Sequence, residues 1–271
     1  MPSISANGAT LYHEVRGDGP SLLFISGATG DAGHWTGVAD TLADTYVVIT
    51  YDRRGNSRSP RPPNWASTTI DEQADDAAAL LRGLDLAPAI VFATSAGASI
   101  AANLAIRHPA VLRGVVFHEP IFQSGVTNAA ALWARRKALI EKGIAKGGVR
   151  AASELFLLSV AGKETYESLA PELRERLLRN GDVLLNVEMT PYLEYEPAPA
   201  QLASVRLPRV VTAGADNRDT TAPGHWRYES ATYLAAQLDT PLAELPGTHM
   251  AYLGQPGAFA EALRPHLDKL I

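Results

Sequence analysis

The sequence predicts an α/β fold: a mostly parallel sheet of eight strands, flanked by helices, with a block of further helices inserted into it. Two patterns lead to this fold class. Through residue 122, short apolar runs alternate with helix-period segments, which is typical of parallel strands joined by right-handed crossovers. From residue 123 to residue 205, only helical patterns follow one another. We therefore predict a core of residues 1–122 and 206–271 and an inserted helical cap, or lid, of residues 123–205.

The strands of the core follow from two kinds of pattern. Residues 3–15 alternate around Asn7-Gly8, the preferred dipeptide of a tight hairpin turn, and so predict the first two strands. Continuous apolar runs are typical of strands buried on both faces and predict the other six. They lie at 22–25, 46–51, directly after Pro88, 111–117, 207–213 and 242–245. Helix-period segments predict the core helices at 34–42, 69–83, 98–107, 226–238 and 256–271.

The predicted cap consists of amphipathic segments at 126–142, 150–161 and 171–179, followed by an aromatic, proline-containing segment at 192–199. We interpret its large apolar side chains as helix-packing residues rather than as substrate contacts. They include Leu132, Trp133, Phe156, Met189 and Tyr192.

Composition excludes several classes of protein. A net charge of −5 without a basic stripe argues against a nucleic-acid partner. The absence of cysteine excludes disulfides, thiolate chemistry and cysteine-bound metal, and we expect neither a cofactor nor a metal. No apolar stretch approaches the roughly 18 residues of a membrane span, and no signal peptide pattern is present. We therefore expect a soluble cytoplasmic protein acting on a small molecule; a homodimer is left open.

Ser95 lies at the point where a predicted strand gives way to a predicted helix. Its neighbours two positions away are Ala93 and Gly97, so the segment has the pattern small-x-Ser-x-small. Small flanking residues are needed where a serine sits on a strained strand-to-helix turn, because bulky side chains would crowd the neighbouring backbone. An ordinary helix cap is the alternative interpretation. The pattern favours a nucleophilic serine.

A glycine-rich turn follows the third strand at residues 26–30. Its peptide N–H groups at Gly27 and Ala28, together with that of Ala96 after the serine, are candidates for an oxyanion hole. The loop at 52–59 carries three arginines and one aspartate. We interpret that second loop as structural and braced by its own charge pairs.

His249 is the candidate base, because it lies in the turn after the last predicted strand, downstream of Ser95. The orienting acid is open from the residues alone. The usual position after the seventh strand is Asn217, with Asp216 and Asp219 on either side. Glu119, after the sixth strand, is the other candidate. All these positions follow strands whose carboxyl ends meet at one edge of a parallel sheet. His118 faces the opposite side from Glu119 and is expected to be buried or supporting.

Several segments resemble the α/β-hydrolase fold superfamily over nearly the whole chain. These are residues 93–97, the loop 52–59 and the turn 246–249. Within the superfamily, Phe117-His118-Glu119-Pro120 and residues 247–252 resemble the branch that includes fungal zearalenone lactonases.

The resemblance implies the α/β-hydrolase fold and a Ser95–His249–Glu119 triad, because the acid of that branch follows the same strand. The cap of those lactonases carries a tryptophan over the substrate, where this chain aligns Leu184. We therefore expect a serine hydrolase that cleaves an ester or lactone bond of a hydrophobic small molecule through an acyl-enzyme. Carbon–carbon bond hydrolysis with the same triad, and a non-catalytic ligand receptor on this fold, are the alternatives.

Overall fold

The computed structural model describes residues 2–271 and contains one eight-stranded sheet. The strands lie in the order β1-β2-β4-β3-β5-β6-β7-β8. Their bounds are β1 Ser3–Ala6, β2 Ala9–Arg16, β3 Ser21–Ile25, β4 Val47–Tyr51, β5 Ala89–Thr94, β6 Leu112–His118, β7 Arg209–Gly214 and β8 Leu242–Leu245. Strands β1 and β2 form an antiparallel hairpin, β2 pairs antiparallel with β4, and β4, β3 and β5–β8 run parallel. The predicted fold class is confirmed.

The hairpin turn follows from the local sequence. Asn7 and Gly8 have φ values of +48° and +73°. This pair of left-handed residues is what a tight turn between two right-twisted strands requires, and asparagine and glycine adopt it more readily than other residues. The turn sets the register that pairs Ser3 with Tyr12.

Helices cover both faces of the sheet. They are α1 Thr36–Leu42, α2 Ile70–Gly83, α3 Ala96–Arg107, α9 His225–Gln237, α10 Ala251–Gly254 and α11 Pro256–Leu267. Helices α2, α3 and α9 pack on one face, and α1 and α11 on the other. Strand β3 shows why both faces must be covered: Leu23 and Ile25 belong to one apolar core, Leu22 and Phe24 to the other.

The described chain between β6 and β7 contains helices and no strand. These helices are α4 Ala129–Ala161, α5 Lys163–Ser168, α6 Pro171–Val183, α7 Met189–Glu194 and α8 Pro199–Ala203, with a π-helical turn at Leu184–Glu188. Helix α4 is interrupted at Gly147 and Gly148, where Gly148 has φ +71°. Its two arms fold back on each other, since a Cβ on Gly143 would lie 2.3 Å from Ala152 Cα. The arms correspond to the first two predicted cap helices.

Within residues 2–271, no helix combines the length and apolarity needed to cross a membrane.

Candidate active site

Ser95 occupies a strained turn between β5 and α3. Its backbone has φ +55° and ψ −128°, a region that residues other than glycine rarely adopt. The Ser95 N–H donates to the carbonyl oxygen of His118 at 3.0 Å, which ties the turn to β6. A Cβ on Gly97 would lie only 2.6 Å from the carbonyl oxygen of Ile25. The small residue predicted two positions after the serine is therefore required by close backbone packing.

Glu119 lies directly after β6 and is fully buried. Its φ is +45°, and its N–H donates to the carbonyl oxygen of Thr212 at 3.0 Å. The carboxylate oxygen Oε2 is 2.6 Å from His249 Nδ1. The other oxygen, Oε1, accepts from the Gly214 N–H at 2.8 Å and from Asn217 Nδ2 at 2.7 Å. Three donors thus fix the carboxylate in one orientation.

Opposing effects set the charge states of this pair. Burial raises the pKa of Glu119, but the hydrogen bond and charge of His249 outweigh it and bring that pKa to about 2. Burial and the positive charge of Arg227 lower the pKa of His249 to about 4, although the bond to Glu119 opposes them. At neutral pH the pair is therefore a carboxylate and a neutral imidazole.

The two aspartates considered as alternative acids lie at the surface. Asp219 is exposed, and its Oδ1 accepts from the N–H and the hydroxyl of Thr221, each at 2.8 Å. Asp216 is also exposed. The residue between them, Asn217, is buried and donates to Glu119. The structure therefore brings Glu119, and neither aspartate, to the ring of His249.

Ser95 and His249 both line a small cavity that Gly27, His34 and Tyr252 also line. Within residues 2–271, no hydrogen bond joins the Ser95 hydroxyl to the His249 ring. Such bonds between catalytic groups are often long in the absence of substrate. His34 also contributes two buried ring nitrogens that have no partner among the described residues.

The three predicted oxyanion-hole residues lie beside Ser95. Gly27 is so close that a Cβ there would stand 2.8 Å from Ser95 Cβ. Ala28 and Ala96, with Ser95, line a second cavity, which we call the inner cavity. Neither of their N–H groups donates a hydrogen bond within residues 2–271. Ala96 is the first residue of α3, where a helix leaves its N–H groups free and its dipole favours negative charge.

Residues 26–30, which contain Gly27 and Ala28, are held from behind by Arg53. Its Nη1 donates to the carbonyl oxygens of Ser26 at 2.8 Å and Gly27 at 2.6 Å. Its Nη2 forms a fully buried ion pair with Glu188 at 2.9 Å. Glu188 belongs to the π-helical turn between α6 and α7, so this pair links the inserted helices to the loop beside the serine.

The loop at 52–59 is braced by charge pairs, only some of which are internal. Arg58 pairs with Asp52 at 2.7 Å within the loop. Arg54 pairs with Asp76 of α2 at 2.5 Å. All three arginines also pair with a carboxylate outside the loop: Arg53 with Glu188, Arg54 with Asp76 and Arg58 with Glu14. The expectation that the loop is braced by its own charge pairs therefore holds only for Arg58 and Asp52.

His118 is buried behind the site. Its Nδ1 lies 3.0 Å from Thr212 Oγ1, and its ring stacks at 6.4 Å between centroids and 10° from the ring of His249. Burial lowers the pKa of His118, so the ring is a neutral packing surface for His249 at pH 7.

The inner cavity, which lies in front of Ser95, is small and mainly apolar. It measures about 40 Å³, room for a few water molecules. A larger groove of about 490 Å³ adjoins it on the outside. Four residues line both spaces and therefore separate them, namely Trp133, Arg136, Met189 and Leu193.

Four of the five cap side chains interpreted as helix-packing residues line this inner cavity. They are Trp133, Phe156, Met189 and Tyr192. Leu184 lines it as well. Helical periodicity identifies an apolar face but not what that face meets, since a neighbouring helix and a cavity both favour apolar side chains.

Two arginines also line this cavity and were not predicted from the sequence, namely Arg136 of α4 and Arg227 of α9. Arg136 lies among other charged residues of its helix, and Arg227 belongs to no recognisable motif, so no local signal marks either of them. In the sequence, Asn217 was notable only because it occupies the position where an acid is usual. The structure shows that its side chain donates a hydrogen bond to Glu119. Among residues 2–271, no three His, Asp or Glu side chains are grouped closely enough to hold a metal ion.

The family model of the alpha/beta hydrolase fold matches residues 20–243, and the chain therefore belongs to this family. The uncharacterized hydrolase YraK of Bacillus subtilis is 32% identical over 271 residues, covering 98% of this chain and 96% of that protein. Zearalenone hydrolase of Bionectria ochroleuca is 24% identical over 273 residues, covering 94% of this chain and 92% of that protein.

The match to zearalenone hydrolase confirms, as a distant homology, the resemblance to the branch that includes the zearalenone lactonases. A solved structure, a thermophilic esterase from Thermogutta terrifontis, superimposes with a TM-score of 0.77 at 19% identity. The superposition covers 100% of this chain and 99% of the esterase and is a likeness in fold.

Proposed function

We propose that this chain is a serine hydrolase that cleaves an ester or lactone bond of a largely hydrophobic small molecule through Ser95, His249 and Glu119. The observation that carries the proposal is the buried 2.6 Å contact between His249 Nδ1 and Glu119 Oε2, at the sheet edge where Ser95 lies on its strained turn. The mainly apolar cavity in front of Ser95 supports a hydrophobic substrate. The homodimer and the cytoplasmic location stay predictions.

Acylation begins when the Ser95 oxygen attacks the carbonyl carbon and His249 Nε2 takes the hydroxyl proton. Glu119 holds the Nδ1–H tautomer and stabilises the imidazolium that forms. The carbon–oxygen bond then breaks, and the imidazolium returns its proton to the departing alkoxide. The products of this half-reaction are an acyl-serine and an alcohol, or a single opened chain when the substrate is a lactone.

Deacylation repeats the same steps with water. His249 takes a proton from water as its oxygen attacks the acyl carbon, and returns that proton to Ser95 when the acyl–serine bond breaks. In both halves, the N–H groups of Ala28 and Ala96 stabilise the tetrahedral oxyanion, and the missing side chain of Gly27 leaves room for it.

The test is hydrolysis of a para-nitrophenyl ester together with labelling by a fluorophosphonate probe. We expect the wild-type protein to release nitrophenol and to take up one label, mapped to Ser95 by mass spectrometry of the labelled peptide. Ser95→Ala removes both signals, whereas Ser99→Ala, at a buried serine inside α3, keeps both.

Two results would contradict the proposal. One is a folded wild-type protein that neither turns over activated esters nor reacts with the probe. The other is tight binding of small apolar molecules that Ser95→Ala leaves unchanged, without any turnover; this result would favour the receptor alternative.

A further inference from the structure

Two arginines face the inner cavity that contains Ser95. Arg227 is only 5% exposed, and its Nε is buried without a hydrogen-bond partner. Arg136 is half-buried, on the boundary between the inner cavity and the outer groove. Within residues 2–271, neither arginine forms an ion pair with a carboxylate. A buried guanidinium without a counter-charge is unfavourable, so binding of an anionic group at this site would stabilise it.

Aromatic rings surround both guanidinium groups but do not satisfy them. The Arg136 guanidinium carbon lies 5.2 Å from the Phe156 ring centre and 5.8 Å from the Trp133 ring centre. That of Arg227 lies 4.5 Å from the Trp226 ring centre. Such contacts use the flat face of the guanidinium, whereas its N–H groups point outward in its plane. The donors therefore still lack acceptors.

The carboxylate that acts most strongly on Arg227 is Glu119. Its two oxygens are already bound to His249, Gly214 and Asn217. Because Glu119 acts on Arg227 and no carboxylate acts on Arg136 among residues 2–271, the two positive charges exceed the one negative charge beside them. Burial, and to a lesser extent the positive charge of Arg227, lower the pKa of Arg136 to about 10.

We infer that the substrate of the proposed hydrolase is an ester or lactone that carries an anionic group, held by Arg136 and Arg227 while the reacting carbonyl meets Ser95. The inference rests on the proposed function and narrows its substrate class. A carboxylate fits best, because it is planar and each guanidinium can offer it two parallel N–H donors. The apolar walls accommodate the remainder of the molecule.

The experiment compares two esters of equal length that differ in charge: the para-nitrophenyl monoester of adipic acid and para-nitrophenyl hexanoate. Each kcat/KM is divided by the rate of spontaneous hydrolysis of that ester. We expect wild-type protein to prefer the anionic ester by roughly 10- to 100-fold, the effect of one charge-assisted hydrogen bond. Arg136→Met and Arg227→Met each reduce this preference, mainly through a higher KM for the anionic ester.

Arg135→Met is the matched control, because Arg135 is the exposed neighbour of Arg136. It should keep the wild-type preference. Methionine preserves the length and apolar stem of arginine, and circular dichroism checks that each variant is folded. Arg136 is half-buried and tolerates this change more readily than Arg227, so its variant keeps the test decisive if Arg227→Met does not fold.

Because the anionic group could lie on either side of the scissile bond, a second pair is assayed, meta-carboxyphenyl butanoate and meta-carbamoylphenyl butanoate. An arginine-dependent preference in either pair supports the inference. Equal rates in both pairs, with Ser95-dependent hydrolysis intact, overturn it and leave the proposed function standing. If Ser95 neither hydrolyses any of these esters nor reacts with the fluorophosphonate, both proposals are wrong.

Discussion

At the scale of single residues, the contacts of Glu119 identify the side chain on which the proposed base depends. Replacing Glu119 by glutamine keeps its size but removes the charge that favours the Nδ1–H tautomer and the imidazolium. We expect kcat for an activated ester to fall by roughly three to four orders of magnitude in Glu119→Gln, with the fold retained. Steady-state kinetics on the para-nitrophenyl ester measure this loss.

Asp216→Asn is the paired control, because Asp216 is an exposed carboxylate just after the neighbouring strand. It should keep kcat within about twofold of the wild type, as surface substitutions usually do. A large loss in Asp216→Asn with little loss in Glu119→Gln would reverse the assignment of the acid.

The pKa of His249 predicts the acid side of the pH–rate profile. Only the neutral imidazole accepts the Ser95 proton, and burial with the charge of Arg227 lowers the pKa of His249 to about 4. Activity should therefore persist well below pH 6.5 and decline only as the pH approaches 4. Arg227→Met removes a positive neighbour, raises the pKa of His249 and moves this decline to higher pH.

The measurement is kcat/KM against pH for the uncharged hexanoate ester, so that the substrate does not titrate. Fluorescence at each pH shows where the protein remains folded. A decline centred near pH 6.5 in the wild type, unmoved by Arg227→Met, would be incompatible with this account.

Single residues differ in how far the sequence predicts them. Ser95 stands out because its requirement for small neighbours is local in the chain. The donation from Asn217 to Glu119 joins residues 98 positions apart, and it depends on how β6 and β7 align. Sequence patterns describe neighbours along the chain, so that contact could not be predicted.

At the scale of elements, variants of the Arg53–Glu188 pair can distinguish its effect on the stability of the fold from its effect on the position of residues 26–30. Arg53→Met leaves the buried Glu188 carboxylate without its counter-charge and with only the hydrogen bond from Asn56, which should lower the free energy of unfolding by about 3–5 kcal/mol. The double variant Arg53→Met/Glu188→Met removes both charges and should recover most of that loss. Urea unfolding curves of the two variants measure the difference.

The double variant Arg53→Met/Glu188→Met should nevertheless keep a reduced kcat. Arg53 also donates to the carbonyl oxygens of Ser26 and Gly27, and these bonds are lost in both variants. We expect kcat to be lower by up to about 100-fold, the effect of displacing a catalytic group by about 1 Å. A double variant that regains both stability and wild-type kcat would show that Arg53 does not position residues 26–30.

This pair also marks the limit of element-level prediction. The alternation of strands and helices identified the sheet, and the break after β6 identified the inserted helices. Arg53 and Glu188 are 135 positions apart in the sequence, and their contact depends on how the inserted helices pack on the sheet. Amphipathic periodicity predicts that a helix has an apolar face, but it does not predict which part of the protein that face packs against.

At the scale of the whole molecule, buried histidines make the fold sensitive to acid. Burial lowers the pKa of both His34 and His249 to about 4. Between pH 6.5 and 4 the unfolded chain therefore binds protons at these positions that the folded chain does not. Each such histidine should lower the free energy of unfolding by about 1.4 kcal/mol for every pH unit of acidification in this window. Below about pH 4.5, protonation of Glu119 in the unfolded state adds to the loss, because its folded pKa is about 2.

His34→Gln isolates one of these contributions. The two ring nitrogens of His34 are buried without partners, so the variant removes a titrating group without removing a hydrogen bond. The free energy of unfolding, obtained from urea denaturation at pH values from 7 to 4.5, should fall less steeply in the variant than in the wild type. Parallel curves would mean that His34 takes up its proton equally in the folded and unfolded chains, and would place the acid sensitivity elsewhere. Because His34 and His249 line the same cavity beside Ser95, a shallower curve would also show that part of the acid sensitivity originates at the active site.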